Sequence, residues 1–309
     1  MATAALIALD WGTTAARAYR VDPHGNVIDA HSAPLGLSQL GDTTFPAAFA
    51  RLLGEWADDP VPRLACGMVG SREGWREVPY LRCPVSLEML ATRLAEIPAA
   101  RLKIVPGVAT RDAAGLPDVM RGEETQIAGA IDAEEERTLA VTPGTHSKWI
   151  RVERGRIVDF LSFMTGELYA VMIAHSVLGR FARNSLPTSE MPGPAFLRGV
   201  DRGLGTGFLV HDMFGARTLV LHGELTSEQA PDWLSGLLIG REVRNARTWA
   251  HRHGDDAAKI RLIGTDALVA RYAAACARAE IGVERARPDA AARGLWQIAL
   301  EAGLIGRAL

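Results

Sequence analysis

Ala8-Leu9-Asp10-Trp11-Gly12-Thr13-Thr14 decides the reading of this chain. The apolar run Ala4 to Leu9 reads as a buried strand. It ends in one acid and a tight Gly-Thr-Thr turn, and Ala16 to Val21 follows at once as a second strand. A lone D-x-G-T-T carries little weight, but this unit recurs. Leu6-Ile7-Ala8-Leu9 corresponds to Leu139-Ala140-Val141-Thr142, and Gly12-Thr13 to Gly144-Thr145. After a short deletion, Gly25 matches Gly155 and Val27-Ile28-Asp29 matches Ile157-Val158-Asp159. Each copy reads strand, Gly-Thr turn, strand, Gly turn, strand. Such a turn leaves backbone N–H groups free for an anion, and threonine adds a hydroxyl donor. Two of them facing each other would grip a polyphosphate from both sides. Ordinary β-hairpins would also explain Pro23-His24-Gly25-Asn26 and Glu153-Arg154-Gly155-Arg156. Matching Gly-Thr turns at the strand ends are more than hairpins require.

The chain has 309 residues and a formal net charge of −2, enough length for two domains with sizeable cores. The charge balance gives no support to nucleic-acid or acidic-membrane binding. Cys66, Cys83 and Cys276 are too few and too scattered for a disulfide framework or a zinc site, and each reads as a small buried apolar residue. No basic segment followed by a long apolar stretch opens the sequence, and no run approaches membrane-spanning length. The expectation is a soluble cytoplasmic protein without a membrane or nucleic-acid partner. Oligomeric state is not readable, and a homodimer is one of the states allowed.

After the first three strands, Phe45, Phe49, Leu52, Leu53 and Trp56 recur at helical spacing. Leu64 to Met68 is a short strand running into a Gly-rich loop from Gly67 to Trp75. Leu87, Leu90, Leu94 and Ile97 mark a second amphipathic helix, and Lys103 to Val108 another strand. A helix begins near Glu123, with Glu123 and Glu124 in its first turn, where the helix dipole favours acids. The second copy starts at Thr138. It adds helices over Gly166 to Phe181, Trp233 to Trp249 and Asp266 to Ala279, strands over Lys259 to Ile263 and Val283 to Ala286, and a last helix over Asp289 to Ile305. This pattern describes an α/β chain with duplicated mixed sheets flanked by helices. The acidic run Asp132 to Glu136 marks a junction, so an N-terminal lobe is expected over 1–135 and a C-terminal lobe over 136–309. The last helix is a candidate to pack back on the first lobe.

A duplicated hairpin domain with Gly-Thr turns resembles the actin/hexokinase/heat-shock-chaperone ATPase superfamily, whose fold is two-lobed, actin-like and ribonuclease H-like. The resemblance narrows. Gly67-Met68-Val69-Gly70-Ser71 with Gly74-Trp75 and Val78-Pro79-Tyr80, Met120-Arg121-Gly122-Glu123-Glu124-Thr125-Gln126, Pro143-Gly144-Thr145-His146-Ser147-Lys148-Trp149, Met164-Thr165-Gly166-Glu167-Leu168 and Leu234-Ser235-Gly236-Leu237-Leu238-Ile239-Gly240 run in order over nearly the whole chain. They are similar to the 2-dehydro-3-deoxygalactonokinase family. The resemblance implies that ATP phosphorylates the terminal hydroxyl of 2-dehydro-3-deoxy-D-galactonate to the 6-phosphate, in galactonate breakdown. The residues by themselves support a two-lobed, nucleotide-dependent phosphotransferase.

Phosphoryl transfer needs charge neutralisation, positioning and a group that takes the acceptor proton. Asp10 stands at a strand end, where a carboxylate can hold Mg2+ through water; an Asx-turn is the plainer alternative. Counted from the turn, Thr142 stands in its place in the second copy, which fits one metal-side turn and one phosphate-side turn. Gly12, Thr13 and Thr14 would cradle the terminal phosphates, with Gly144 and Thr145 from the other lobe. Arg17 is placed to reach a phosphate oxygen or simply to point into water. Lys148 is placed to meet phosphate or a substrate carboxylate. His146 reads as a turn or substrate contact rather than a metal ligand. Sugar kinases of the superfamily use a carboxylate at the start of a first-domain helix, which makes Glu123 or Glu124 the candidate general base, with Asp118 a weaker alternative. The sugar acid's carboxylate calls for an arginine or lysine, and Arg72 and Arg121 each stand beside a glycine. Ser71 to Tyr80, with Trp75, forms one wall of the site or part of the core. Thr165-Gly166-Glu167 reads as a ligand contact or a helix cap. Adenosine is expected near Ser235-Gly236 and Gly264-Thr265, with the lobes hinging on binding.

Two other readings stay open. A 2-dehydro-3-deoxygluconate kinase differs only in the stereocentre of its substrate. An exopolyphosphatase-type phosphohydrolase shares the fold, and Gly122-Glu123-Glu124 is similar to its glutamate motif. A sugar-sensing regulator would carry an N-terminal DNA-binding segment, whereas the first strand here starts by Ala4.

Overall fold

The computed structural model describes residues 3–132, 134–180 and 191–306. β1 (Leu6–Trp11), β2 (Ala16–Val21) and β3 (Val27–Ala33) lead into α1 (Phe45–Leu53) and β4 (Arg63–Gly67). There follow β5 (Leu81–Arg82), α2 (Leu87–Thr92), β6 (Ala95–Ile97), β7 (Leu102–Ile104), β8 (Val108–Arg111), β9 (Pro117–Met120) and α3 (Glu123–Ala130). One sheet has the order β3-β2-β1-β4-β7-β6, and a small one the order β5-β8-β9. β1 runs antiparallel to β2 and parallel to β4, so Asp10 lies opposite Arg17 on one side and Cys66 on the other. This central place explains the apolar run: Leu6, Ile7, Ala8, Leu9 and Trp11 are fully buried, and Asp10 alone on the strand is not.

The second half contains β10 (Arg137–Thr142), β11 (Ser147–Glu153), β12 (Arg156–Phe163), α4 (Thr165–His175), α5 (Pro194–Leu204), α6 (Leu209–Met213), α7 (Gly215–Leu221) and α8 (Ala230–Arg252). It continues with β13 (Lys259–Leu262), α9 (Asp266–Arg278), β14 (Gly282–Arg285) and α10 (Ala290–Glu301). Its sheet has the order β12-β11-β10-β13-β14, with β13 parallel to both of its neighbours. Three consecutive strands followed by a parallel one is also the order around β1. The duplicated mixed sheets give the α/β, ribonuclease H-like architecture that the resemblance implies.

The chain divides into two compact units. One comprises Met1–Thr138, Arg151–Phe160 and Asp289–Leu309; the other comprises Leu139–Ile150 and Leu161–Pro288. In the first unit, Ile7, Leu9, Trp11, Phe49, Leu52 and Trp56 form part of the core. There α10 crosses α3 with almost no gap. A Cβ on Gly129 would lie 2.0 Å from the Ala290 carbonyl oxygen, and one on Gly294 1.9 Å from that of Thr125. Two glycines therefore seat the helix that begins with Glu123 and Glu124. In the second unit, Val141, Trp149, Phe196, Val243 and Tyr272 share a core. α5 meets α8 in the same way, with Gly199 against the Trp233 carbonyl and Gly236 against that of Phe196.

Several expected elements change. The helix expected across Leu87, Leu90, Leu94 and Ile97 stops at Thr92, and Ala95–Ile97 is the edge strand β6. Apolar spacing alone does not separate one helix from a helix followed by a short strand. The strand expected from Lys103 to Val108 is two strands in different sheets, β7 and β8. Pro106 lacks the N–H a ladder needs, and Gly107 packs under the Tyr80 ring, where a Cβ would come within 2.7 Å. The helix expected over Gly166 to Phe181 ends at His175, and Phe181 lies outside the described residues. Helices α5, α6 and α7 and the sheet β5-β8-β9 have no counterpart among the expectations.

The α3–α10 crossing leaves no room for a side chain. Gly294→Val should lower stability by at least about 1–3 kcal/mol, the usual cost of overpacking. A thermal melt beside the parent protein checks this, and an unchanged melting temperature would contradict the crossing.

Candidate active site

The Gly12-Thr13-Thr14 turn is held by a loop that the sequence reading did not single out. Leu37 N–H donates to the Gly12 carbonyl (3.1 Å), Ser38 N–H to that of Thr13 (2.8 Å) and Gly36 N–H to that of Thr14 (3.3 Å). The Ser38 hydroxyl donates to the Thr13 carbonyl as well, at 2.8 Å. Gly36 is close enough that a Cβ there would lie 2.3 Å from the Thr14 carbonyl carbon. In a trans peptide, N–H and C=O point in opposite directions. Three successive carbonyls tied toward residues 36–38 therefore turn the N–H groups of Thr13, Thr14 and Ala15 the other way. Thr13 and Thr14 are exposed. Successive outward N–H groups form a concavity suited to an anion. The only trace of this loop in the sequence is Gly36 itself, after Pro34-Leu35.

Acids gather beside this turn. Asp10 pairs with Arg17 at 3.5 Å. Burial pushes the Asp10 carboxyl above its ordinary value, the Arg17 guanidinium opposes the shift, and the Glu123 charge adds to it. The Cys66 thiol, opposite Asp10 on β4, is pushed well up by burial and by the charges of Asp10, Glu124 and Glu123. The structure thus brings Asp10 and both glutamates into one electrostatic neighbourhood at the strand ends. It also separates the two glutamates. Glu124 is fully buried, and both of its carboxylate oxygens accept from Gly122 N–H, at 2.9 and 2.8 Å. Burial, helped by the Glu123 charge, raises its carboxyl to about 8. Glu123 is only half-buried and accepts from Arg121 N–H at 2.9 Å. Asp118 is on β9, and its carboxylate accepts from Val119 N–H at 2.7 Å.

The Gly-rich loop after β4 divides into inner and outer parts. Ser71 is buried, and its Oγ has no partner among the described residues. Trp75 packs on the core aromatics, with its ring 6.2 Å from Phe45 and 5.4 Å from Phe49, which favours its core reading. Arg121, a candidate for the sugar-acid carboxylate, is engaged within this loop. Its guanidinium is buried, lies 4.3 Å from the centre of the Tyr80 ring and donates to the Val78 carbonyl at 2.7 Å. It ties this loop to the start of α3. Arg72 is exposed.

The second unit carries the other turn. The Thr145 carbonyl accepts from Glu167 N–H at 2.9 Å, and a Cβ on Gly166 would lie 2.4 Å from the Gly144 carbonyl oxygen. Thr165, Gly166 and Glu167 therefore form one wall of the turn. His146 Nε2 is hydrogen-bonded to Glu167 Oε2, so these two residues are engaged with each other. Lys148 is buried, and its Nζ donates to the His146 carbonyl at 3.2 Å. Gly264 is exposed beside Pro143, just before α9. Ser235 lies apart on α8, where Arg271 Nη1 donates to its hydroxyl at 3.4 Å. Gly236, a candidate for the adenosine, is buried in the α5–α8 crossing.

Sequence reasoning also missed Glu242 on α8. Its Oε1 accepts from Trp149 Nε1 and its Oε2 from the Tyr272 hydroxyl, each at 2.8 Å. Ser147 and Thr165 side chains hydrogen-bond to it as well, and burial still pushes its carboxyl upward. The available signal was an acid at helical spacing between Leu238 and Ala246 on an apolar stripe.

These observations meet clear relatives. A family model described as 2-keto-3-deoxy-galactonokinase matches residues 10–298. A 2-dehydro-3-deoxygalactonokinase of Escherichia coli (strain K12) is 35% identical over 271 residues, covering 87% of this chain and 88% of the relative. A crystal structure of a Sinorhizobium meliloti protein, assigned provisionally to that activity, has 31% identity and a TM-score of 0.85, over 95% of this chain and 98% of that one. The activator of 2-hydroxyisocaproyl-CoA dehydratase from Clostridium difficile, with bound ADPNP, has 14% identity and a TM-score of 0.51, over 96% and 93% of the chains, a likeness of fold.

The Glu124 environment makes a pH prediction. Its carboxyl has an ordinary value of 4.5 and lies at about 8 in the fold. A raised acid in the folded state means stability is lost as pH rises between those values. Glu124→Gln, which mimics the protonated acid, should be free of that loss. Urea midpoints at intervals from acid to mildly alkaline pH check it, and parallel curves for both proteins would contradict the buried acid.

Proposed function

The chain belongs to the 2-keto-3-deoxy-galactonokinase family, and from this premise we propose that it transfers the terminal phosphoryl group of ATP to the terminal hydroxyl of 2-dehydro-3-deoxy-D-galactonate. The observation that carries the reading at the level of residues is the grouping of Asp10, Glu123 and an outward-facing Gly-Thr-Thr turn at one sheet edge.

Each group has a task in this chemistry. Phosphoryl transfer demands positioning and charge stabilisation more than covalent participation by the protein. The N–H groups of Thr13 and Thr14, with the Gly144-Thr145 turn, bind phosphate oxygens; Arg17 stands beside Asp10 as a further cation at this edge. Glu123 takes the proton from the acceptor hydroxyl. It suits the task better than Glu124, whose carboxyl faces inward on the Gly122 N–H and holds its own proton near neutral pH. Arg72 meets the sugar-acid carboxylate, while Arg121 and Trp75 hold the loop that carries it. Ser71, beside Arg72, lines the same end of the loop. Gly264-Thr265, at the start of α9, takes the ribose or a phosphate oxygen. The first unit then serves the metal, the acceptor and part of the phosphate chain, and the second the rest of the nucleotide.

Among the described residues, no three His, Cys, Asp or Glu side chains gather as a metal site. That fits magnesium, which is typically held by one or two carboxylates and by substrate phosphates. Asp10, a partly accessible carboxylate at the turn, is the residue that would hold it. When bound, the ion neutralises charge on the phosphate oxygens.

No helix among the described residues is long and apolar enough to cross a membrane. A cytoplasmic location and small-molecule substrates complete the proposal.

A kinase assay with Mg2+ and ATP against both epimers of the sugar acid tests it. Transfer to the galactonate epimer is expected, with Glu123→Gln lowering kcat by ~10²–10⁴ and Glu124→Gln lowering it far less. Transfer only to the gluconate epimer would overturn the acceptor. ATP turnover that ignores both acids would overturn the kinase reading.

A further inference from the structure

Glu242 is buried on α8. A carboxylate has about four lone-pair directions. Four side chains hydrogen-bond to this one: Ser147, Trp149, Thr165 and Tyr272. They come from three elements that surround the second Gly-Thr turn. Ser147 and Trp149 begin β11, immediately after the turn. Thr165 opens α4, whose next two residues abut the Gly144 and Thr145 carbonyls. Tyr272 lies on α9, which starts just after Gly264-Thr265.

We propose that Glu242 is a positioning residue for nucleotide phosphate binding, clamping β11, α4 and α9 so that the Gly144-Thr145 turn keeps one shape. The proposal rests on the reading of that turn as a phosphate contact. A carboxyl buried away from solvent is costly unless its lone pairs are used, and here Trp149 and Tyr272 each donate to it at 2.8 Å, with the Ser147 and Thr165 hydroxyls beside it. The Trp149 ring N–H can only donate, so that place demands an acceptor. The three hydroxyls can rotate, and each can also accept. Glutamine keeps one acceptor for Trp149 and turns an amide toward hydroxyls that adapt. Leucine leaves all four partners unserved.

The test is steady-state kinetics in both substrates, with melting temperatures, on Glu242→Gln, Glu242→Leu, Thr145→Val and Val243→Ala. Val243 is a buried core residue adjacent in sequence, and its truncation supplies a destabilised control. Glu242→Gln should raise the KM for ATP about tenfold, the loss of roughly one good buried hydrogen bond, with the KM for the sugar acid within about twofold. Glu242→Leu should do more; should it fail to fold, Tyr272→Phe takes its place, with a rise smaller than that of Glu242→Gln. Val243→Ala should lower the melting temperature and leave the KM for ATP unchanged. If Glu242→Gln behaves like Val243→Ala, losing stability alone, the residue is only structural and the proposal is overturned. If Thr145→Val raises the KM for ATP and Glu242→Gln does not, positioning fails while the phosphate turn stands. If neither moves it, the phosphate-turn reading falls, and the proposal with it.

Discussion

Three backbone carbonyls, those of Gly12, Thr13 and Thr14, set the terms for the first unit. Residues 36–38 hold all three. Peptide planarity does the rest, because a carbonyl fixed inward fixes the following N–H outward. The row of outward-facing amides is thus built by the backbone, and no charged side chain is needed to shape it. This explains why Gly36 is a glycine despite an ordinary backbone conformation. Its φ is −64°, open to any residue, but the space is not.

The acids beside the turn depend on a second close approach. α3 starts at Gly122, whose φ of +109° favours glycine, and a Cβ there would come 3.4 Å from Gly67, itself at φ +90°. The helix therefore begins against the end of β4, next to Asp10. Its far end is seated by the Gly129–Gly294 crossing with α10. Burial, with the neighbouring Glu123 charge added to it, raises the Glu124 carboxyl, which keeps its proton. Glu123 is left half-exposed. The second unit reaches the same end differently. Thr142 stands where Asp10 does, without charge, and the buried carboxylate is Glu242, placed behind the turn rather than at it.

Much of this was legible in the sequence because it rests on local chemistry. The duplicated strand, turn and strand, the acids opening α3 and the long helix α8 all announce themselves by spacing. What stayed hidden depends on distant segments meeting. Gly36 is one glycine among many until its carbonyl partners are known. Arg121 reads as a free arginine until Tyr80 and Val78 are seen to cover it. Gly236 reads as an adenosine contact on a long helix, and its close packing against Phe196 shows only in three dimensions. Glu242 looks like a surface acid unless the apolar stripe around it is counted first. Helix α5 was missed for a related reason, since Gly199 and Gly203 interrupt the propensity that packing on α8 restores.

The central claim is that the Thr13, Thr14 and Ala15 amides, turned outward by residues 36–38, bind the nucleotide's phosphates. The most direct measurement is an amide NMR titration of the full chain with Mg2+ and a non-hydrolysable ATP analogue. The account predicts that these three N–H resonances move strongly downfield, more than others on β1 and β2, and saturate with the nucleotide. Saturation of the protein by the analogue with those three amides unmoved would contradict it.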